Sequence, residues 1–323
     1  MRTITGKITF RDGLHVRGDV LGTVHAITIA GYAARLFLPH PPKPNAGSWL
    51  AEPVLDGQPP PLLSRLVAGR SGWGGATHHS INVEASHSTI DAALIQIAVD
   101  DNYEFDTFNG AAWDWLSRLR YWRAALQRGT LSPAHRVRQQ AVDIIDDRGV
   151  SRHTEVTQMA DLGGSALTPD LFALALTMVS TMQPLPPEQM YIVDSREAIC
   201  DGDHRRAVID ATTAIEVAFA RQITAEVDQT GLNPGFSVAA TANVGGIIGL
   251  ATLYQSLGHE LPVSKGKLTN QVAEVRNTAA HSGNPLSYHQ AMVVLTHAIA
   301  TVDGVRGTPL TTATNLRHLQ LPS

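Results

Sequence analysis

The segment Gln183-Pro184-Leu185-Pro186-Pro187 divides the 323-residue chain into two parts of different hydrophobic period, and this division constrains the fold more than any other feature. Proline lacks the amide hydrogen that helices and sheets both use, so prolines at 184, 186 and 187 make a stiff extended linker. Before the linker, short runs of β-branched and aromatic residues end at glycines. After it, apolar residues recur at helical spacing. The expectation is an α+β chain: a β-rich or mixed domain of unknown role over residues 1–183, an all-α antiparallel helical bundle over 187–305 and a C-terminal tail over 306–323.

In the first domain, residues 7–10, 24–29 and 34–38 have strand composition, and a proline-rich loop at 39–61 interrupts regular pairing. Alternation resumes at 80–85 and 92–99, which together predict a small antiparallel sheet. Ala112, Trp115, Leu119, Trp122 and Leu126 fall on one stripe of a helix that Gly129 would stop, and the stripe is expected to pack on the sheet. Residues 131–160 fit helix and strand alike. Thr168 is placed to cap a helix running to Met182, with Pro169 at its first position.

The second domain divides into helices over 188–200, 205–227, 243–257, 268–282 and 288–302, with Asp203 able to cap the second and Gly283-Asn284-Pro285 stopping the fourth. Composition excludes several classes of function. At 43% hydrophobic and 17% charged residues the chain builds a core, which rules out disorder and collagen. No apolar run reaches membrane-spanning length and the start carries no signal-like segment, so a cytoplasmic location is expected. Cys200 is the single cysteine, so neither an internal disulfide nor a thiolate zinc cluster can form. A net charge of −4 means that an anionic partner must be held by a local site.

Chemistry concentrates in the fourth helix, Glu274-Val275-Arg276-Asn277-Thr278-Ala279-Ala280-His281. On an ideal helical wheel with Val275 at zero, Leu268, Val272 and Ala279 lie within about 60° and form a core stripe. Asn270, Glu274, Asn277 and His281 gather at roughly 200–260°, opposite the core. Arg276 sits on a flank at roughly 100°, from which its side chain reaches either solvent or a partner. Histidine suits proton transfer at neutral pH, arginine is the best fixed fork for a phosphate, and Asn277 can orient the imidazole one turn later. Together they can run metal-free RNA cleavage, His281 taking the proton of a ribose 2′-hydroxyl and Arg276 stabilising the charged phosphate. A polar stripe opposite a core stripe is also what any surface helix shows.

Arg276-Asn277, three residues and His281, preceded by a helix bearing Asp203-His204-Arg205-Arg206-Ala207-Val208-Ile209-Asp210 and Ala214-Ile215-Glu216, resembles the HEPN domains of prokaryotic defence and toxin systems over residues 187–305. The resemblance implies a helical bundle that homodimerises, so that two copies of the motif form one composite site. It further implies either a metal-independent endoribonuclease leaving a cyclic phosphate or a non-catalytic dimerisation or nucleotide-binding scaffold. On that basis Arg276, Asn277 and His281 are the catalytic candidates, Glu216 and Glu274 rank below them, and no cofactor or metal is expected. RNA is the expected substrate and DNA is not, with an antitoxin or a trigger ligand as further partners.

Residues 185–323 hold 9 basic and 12 acidic side chains, which argues for selective or triggered cleavage over general affinity for RNA. His78, His79 and His87 lack an acidic or thiol partner at diagnostic spacing, and Ser71-Gly72-Trp73-Gly74-Gly75 lacks the lysine of a phosphate loop and is expected to be a plain loop.

Overall fold

The computed structural model describes residues 2–42, 49–55, 72–78, 87–100, 105–127, 138–145, 151–158, 166–230, 241, 244–281 and 285–307. Contacts divide the chain into two compact units, the first ending at Pro184 and the second beginning at Leu185. The architecture is α+β, a sheet-based unit followed by a helical one.

The first unit holds strands β1 (Arg2–Arg17), β2 (Val24–Ile29), β3 (Tyr32–Phe37), β4 (Gly74–His78), β5 (His87–Val99), β6 (Arg138–Ile145) and β7 (Ser151–Gln158). They form one antiparallel sheet in the order β2-β3-β5-β1-β6-β7, with β4 also paired to β5. β1 is longer than its apolar run suggests because it lies inside the sheet, bonded to β5 on one side and β6 on the other. Its register shifts between Thr9 and Leu14, where Gly13 takes φ +66°; a Cβ there would meet the Thr89 side chain. The glycine bulge returns Leu14 and Val16 to the buried set.

Helix α1 (Phe105–Leu126) covers one face of this sheet. The five stripe residues Ala112, Trp115, Leu119, Trp122 and Leu126 are all buried, as their spacing predicts, and Ile8, Ile29 and Ile95 face Phe108, Ala112 and Trp115. Trp122 Nε1 donates to the Gln183 carbonyl at 3.0 Å, which satisfies the one polar atom of a buried indole. Helix α2 (Pro169–Ser180) ends two residues before Met182, whose φ of +58° is incompatible with a continuing helix. Thr168 caps it, Oγ1 accepting from Leu171 N at 3.4 Å. At that long distance Thr168→Ala is expected to cost about 0.5–1 kcal/mol in urea denaturation; an unchanged midpoint would show that the cap contributes nothing.

One sequence expectation is corrected and one open stretch is resolved. Gly74 and Gly75 open strand β4 instead of lying in a loop, because their backbones are held by Ile90 and Thr89 of β5. The stretch that fitted helix and strand alike contains β6 and β7. The strand expected at 80–85, with Ser71, His79, Gly129, Asn243, Ser282, Gly283 and Asn284, lies outside the described residues.

The second unit is built on α3 (Pro187–Cys200), α4 (His204–Gln229), α5 (Gly246–Ser256) and α7 (Tyr288–Val305). Between α5 and α7 runs one helix made of Lys265–Lys267, a π-helical turn Leu268–Ala273 and Glu274–His281; the last segment is called α6. α4 is central and packs against α3, α5, α6 and α7. Its inward residues include Ala207, Ala211, Ala214 and Ala218, small enough for neighbours to approach closely, together with Val208, Ile215, Phe219 and Ile223. Asp203 caps it as expected, its carboxylate accepting from Arg206 N at 3.0 Å.

Candidate functional site

Leu268, Val272 and Ala279 are buried in the helical core and Val275 packs against it half-exposed, so the apolar stripe of α6 lies where its spacing put it. Asn270, Glu274, Asn277 and His281 are all exposed on the opposite side. The π turn ends at Ala273, immediately before this motif. Such turns interrupt regular bonding and are found often at functional sites.

Arg276 is half-buried, and its positive charge is felt by Glu216 of α4. Burial pushes the Glu216 carboxyl above its usual range, and the positive charge of Arg276 partly opposes that rise. A Cβ added at Gly246 would stand 3.7 Å from Glu216 Oε1, so the carboxylate also lies against the first turn of α5, where unpaired amides favour negative charge. Arg276 and His281 are five positions apart, about 140° around the helix, whereas Asn277 and His281 share a face. Within one chain, then, the helix groups Asn277 with His281 and sets Arg276 on a different side.

The raised carboxyl of Glu216 has a consequence for stability. The folded chain holds the proton more tightly than the unfolded one, so the resulting stabilisation is complete below the ordinary value of 4.5 and is lost as pH rises through the raised value. Glu216→Gln removes this titration. Its stability relative to wild type should therefore improve as pH rises above 4.5 in urea denaturation. A difference that stays flat as pH rises would contradict the burial of the carboxyl.

The end of α6 that carries His281 meets the start of α4. Arg205 Nη2 donates to the Ala280 carbonyl at 3.2 Å, satisfying one of the terminal acceptors of α6. His204 Nδ1 lies 3.0 Å from the Leu286 carbonyl, so that nitrogen carries the proton, and the ring stands edge-on to Tyr288 with centroids 6.1 Å apart. Tyr288 is 44% exposed. These neighbours are not legible in the sequence as parts of a site, because the contacts join positions 75 and 82 residues apart.

Elsewhere, His87 stacks edge-on with His15 at 5.5 Å, and among the described residues no group of three or more His, Cys, Asp or Glu is placed to hold a metal ion. The sheet unit carries an open groove of about 580 Å³ lined by Thr3, Thr28, Arg35, Gln96, Thr177 and Ser180, among others. Among the described residues no helix is long and apolar enough to cross a membrane. No family model matches the chain, and neither a curated protein nor a solved structure is found to be similar to it.

Proposed function

We propose that the chain is a metal-independent endoribonuclease of HEPN type, acting as a homodimer in a cytoplasmic toxin or antiviral setting. The observation that carries this reading is the outward presentation of Asn277 and His281 on a helix whose opposite side is sealed into the core. A site meant to be completed by a second copy has to lie on such a face. Two further features support it. Ile209, 37% exposed, follows Arg205 by four positions on α4 and gives the adjoining surface an apolar element suited to an interface. Arg276, half-buried on α6, also feels the charge of Glu216.

In the proposed reaction neutral His281 accepts the proton of a ribose 2′-hydroxyl. The freed oxygen bonds to the adjacent phosphorus as the bond to the 5′-oxygen breaks, and the departing oxygen takes a proton from the partner's His281. Arg276 stabilises the charge gathering on the phosphoryl oxygens, and Asn277 orients the imidazole. The products are a 2′,3′-cyclic phosphate and a 5′-hydroxyl. A trigger ligand, on this reading, has the groove of the sheet unit as a candidate seat, where Arg35 and Gln96 stand among alanines and threonines.

The test is incubation of purified protein with single-stranded RNA in EDTA, with end-group analysis of the fragments and sedimentation of the protein alone. Cyclic-phosphate ends from a dimer are the expected result. A second reading, a non-catalytic dimerisation or nucleotide-binding scaffold, is favoured by the place of Arg276 on its helix, about 140° from His281. A dimer that leaves every RNA intact would establish that second reading.

A further inference from the structure

We infer that Tyr288 and Arg205 form a subsite for single-stranded RNA beside His281, the tyrosine ring stacking on a nucleobase and the guanidinium gripping an adjacent phosphate. The inference rests on the ribonuclease reading above and extends it to how substrate is held. It starts from an aromatic side chain that has no place in the core. Tyr288 opens α7 directly after its Ser287 cap, and 44% of it is exposed although its ring is large enough to fill a core position. The Ser287–Gln290 capping box fixes the backbone from which the ring projects.

The ring is also held from the side. His204 is anchored through Nδ1 to the Leu286 carbonyl, two residues before Tyr288, and presents its plane at 71° to the tyrosine. An edge-on contact supports an aromatic ring while leaving a face for a further planar partner. Nucleobases stack on such faces without regard to sequence.

Arg205, next to His204 on α4, is exposed and is tethered through one Nη2 bond to the carbonyl of Ala280, the residue preceding His281. The guanidinium has five donors in a planar fork, so a single carbonyl bond leaves the others for a phosphate. Arg206 is engaged differently, paired with Asp210 at 3.3 Å. The start of α4 thus binds α6 through Arg205 and α7 through His204, and it brings a base platform and a phosphate fork to the same end of the bundle as the imidazole. In a unit with 9 basic against 12 acidic residues, stacking supplies affinity that the overall charge does not.

The probe is a short single-stranded oligonucleotide with 2′-O-methyl groups throughout, which lacks the hydroxyl that cleavage consumes, titrated by fluorescence anisotropy into the full-length protein. Wild type should bind it. Tyr288→Ala should weaken binding by about tenfold or more, while Tyr288→Trp keeps the affinity because the face is retained. Arg205→Ala should lower the slope of log affinity against log salt by about 0.7, the value for one phosphate contact on a single strand. Circular dichroism melting of each variant verifies the fold, and truncation of so exposed a ring is expected to leave it intact. If wild type binds or cleaves RNA and Tyr288→Ala does so equally well, the subsite is wrong and the ribonuclease reading stands. If wild type neither binds the probe nor cleaves RNA, both fall together.

Discussion

His281→Ala is expected to slow metal-independent RNA cleavage by about a hundred- to ten-thousand-fold, the usual worth of a positioned acid–base group. Because the proposed composite site would use one imidazole to take a proton and a second to give one, the same substitution in both copies would remove both transfers, which places the expected loss toward the upper end. The fold should be unaffected. His281 is exposed in the last turn of α6, so its removal leaves no cavity, and the unfolding midpoint should move by no more than about 0.5 kcal/mol. Arg276→Ala is the contrasting case, since it removes the counter-charge of Glu216 and should lower activity and stability together. Cleavage by His281→Ala at the wild-type rate would end the proposed chemistry. Mixing His281→Ala with Arg276→Ala protein tests the shared site, because the heterodimer holds one imidazole and one guanidinium and should cleave faster than either variant alone, though more slowly than wild type, which has both imidazoles.

How much of this arrangement was legible in the sequence depends on the range of the forces involved. The stripes of α1 and of α4 could be read because burial alone selects their residues, and burial leaves a period. The motif on α6 could be placed on its helix and given an outward face by the same arithmetic. The π turn at Leu268–Ala273 could not, since Leu-Thr-Asn-Gln-Val-Ala contains neither proline nor glycine to mark an irregular turn. β6 and β7 were equally opaque. Ser-Arg-His-Thr-Glu-Val-Thr-Gln is mostly polar and Arg-Gln-Gln-Ala-Val-Asp-Ile-Ile lacks strict alternation, and what makes them strands is the pairing of β6 with β1, far along the chain, and of β7 with β6. The same limit applies to the site. Glu216 was visible as a residue of a helix, but its tie to Arg276 joins α4 to α6, and the Arg205 and His204 contacts join still more distant segments.

The largest stability effect is expected away from the motif, at Glu188 in the first turn of α3. Its carboxylate is only 5% exposed and accepts from two guanidinium groups, Arg221 Nη1 at 2.6 Å and Arg306 Nη1 at 3.0 Å. The three residues therefore join the start of α3, the middle of α4 and the end of α7. The arrangement is asymmetric, because the side chains of Arg221 and Arg306 are 55% and 20% exposed and can regain water, whereas the carboxylate cannot. Glu188→Ala removes the one fully desolvated charge and lets both arginines rehydrate. The double variant Arg221→Ala, Arg306→Ala does the reverse and strands a buried anion, for which roughly 3–5 kcal/mol is typical. The expected order in urea denaturation at neutral pH is therefore wild type, then Glu188→Ala, then the double arginine variant, with the triple variant recovering to the level of Glu188→Ala. A triple variant less stable than the double one would show that Glu188 supports the fold by packing and not through its charge.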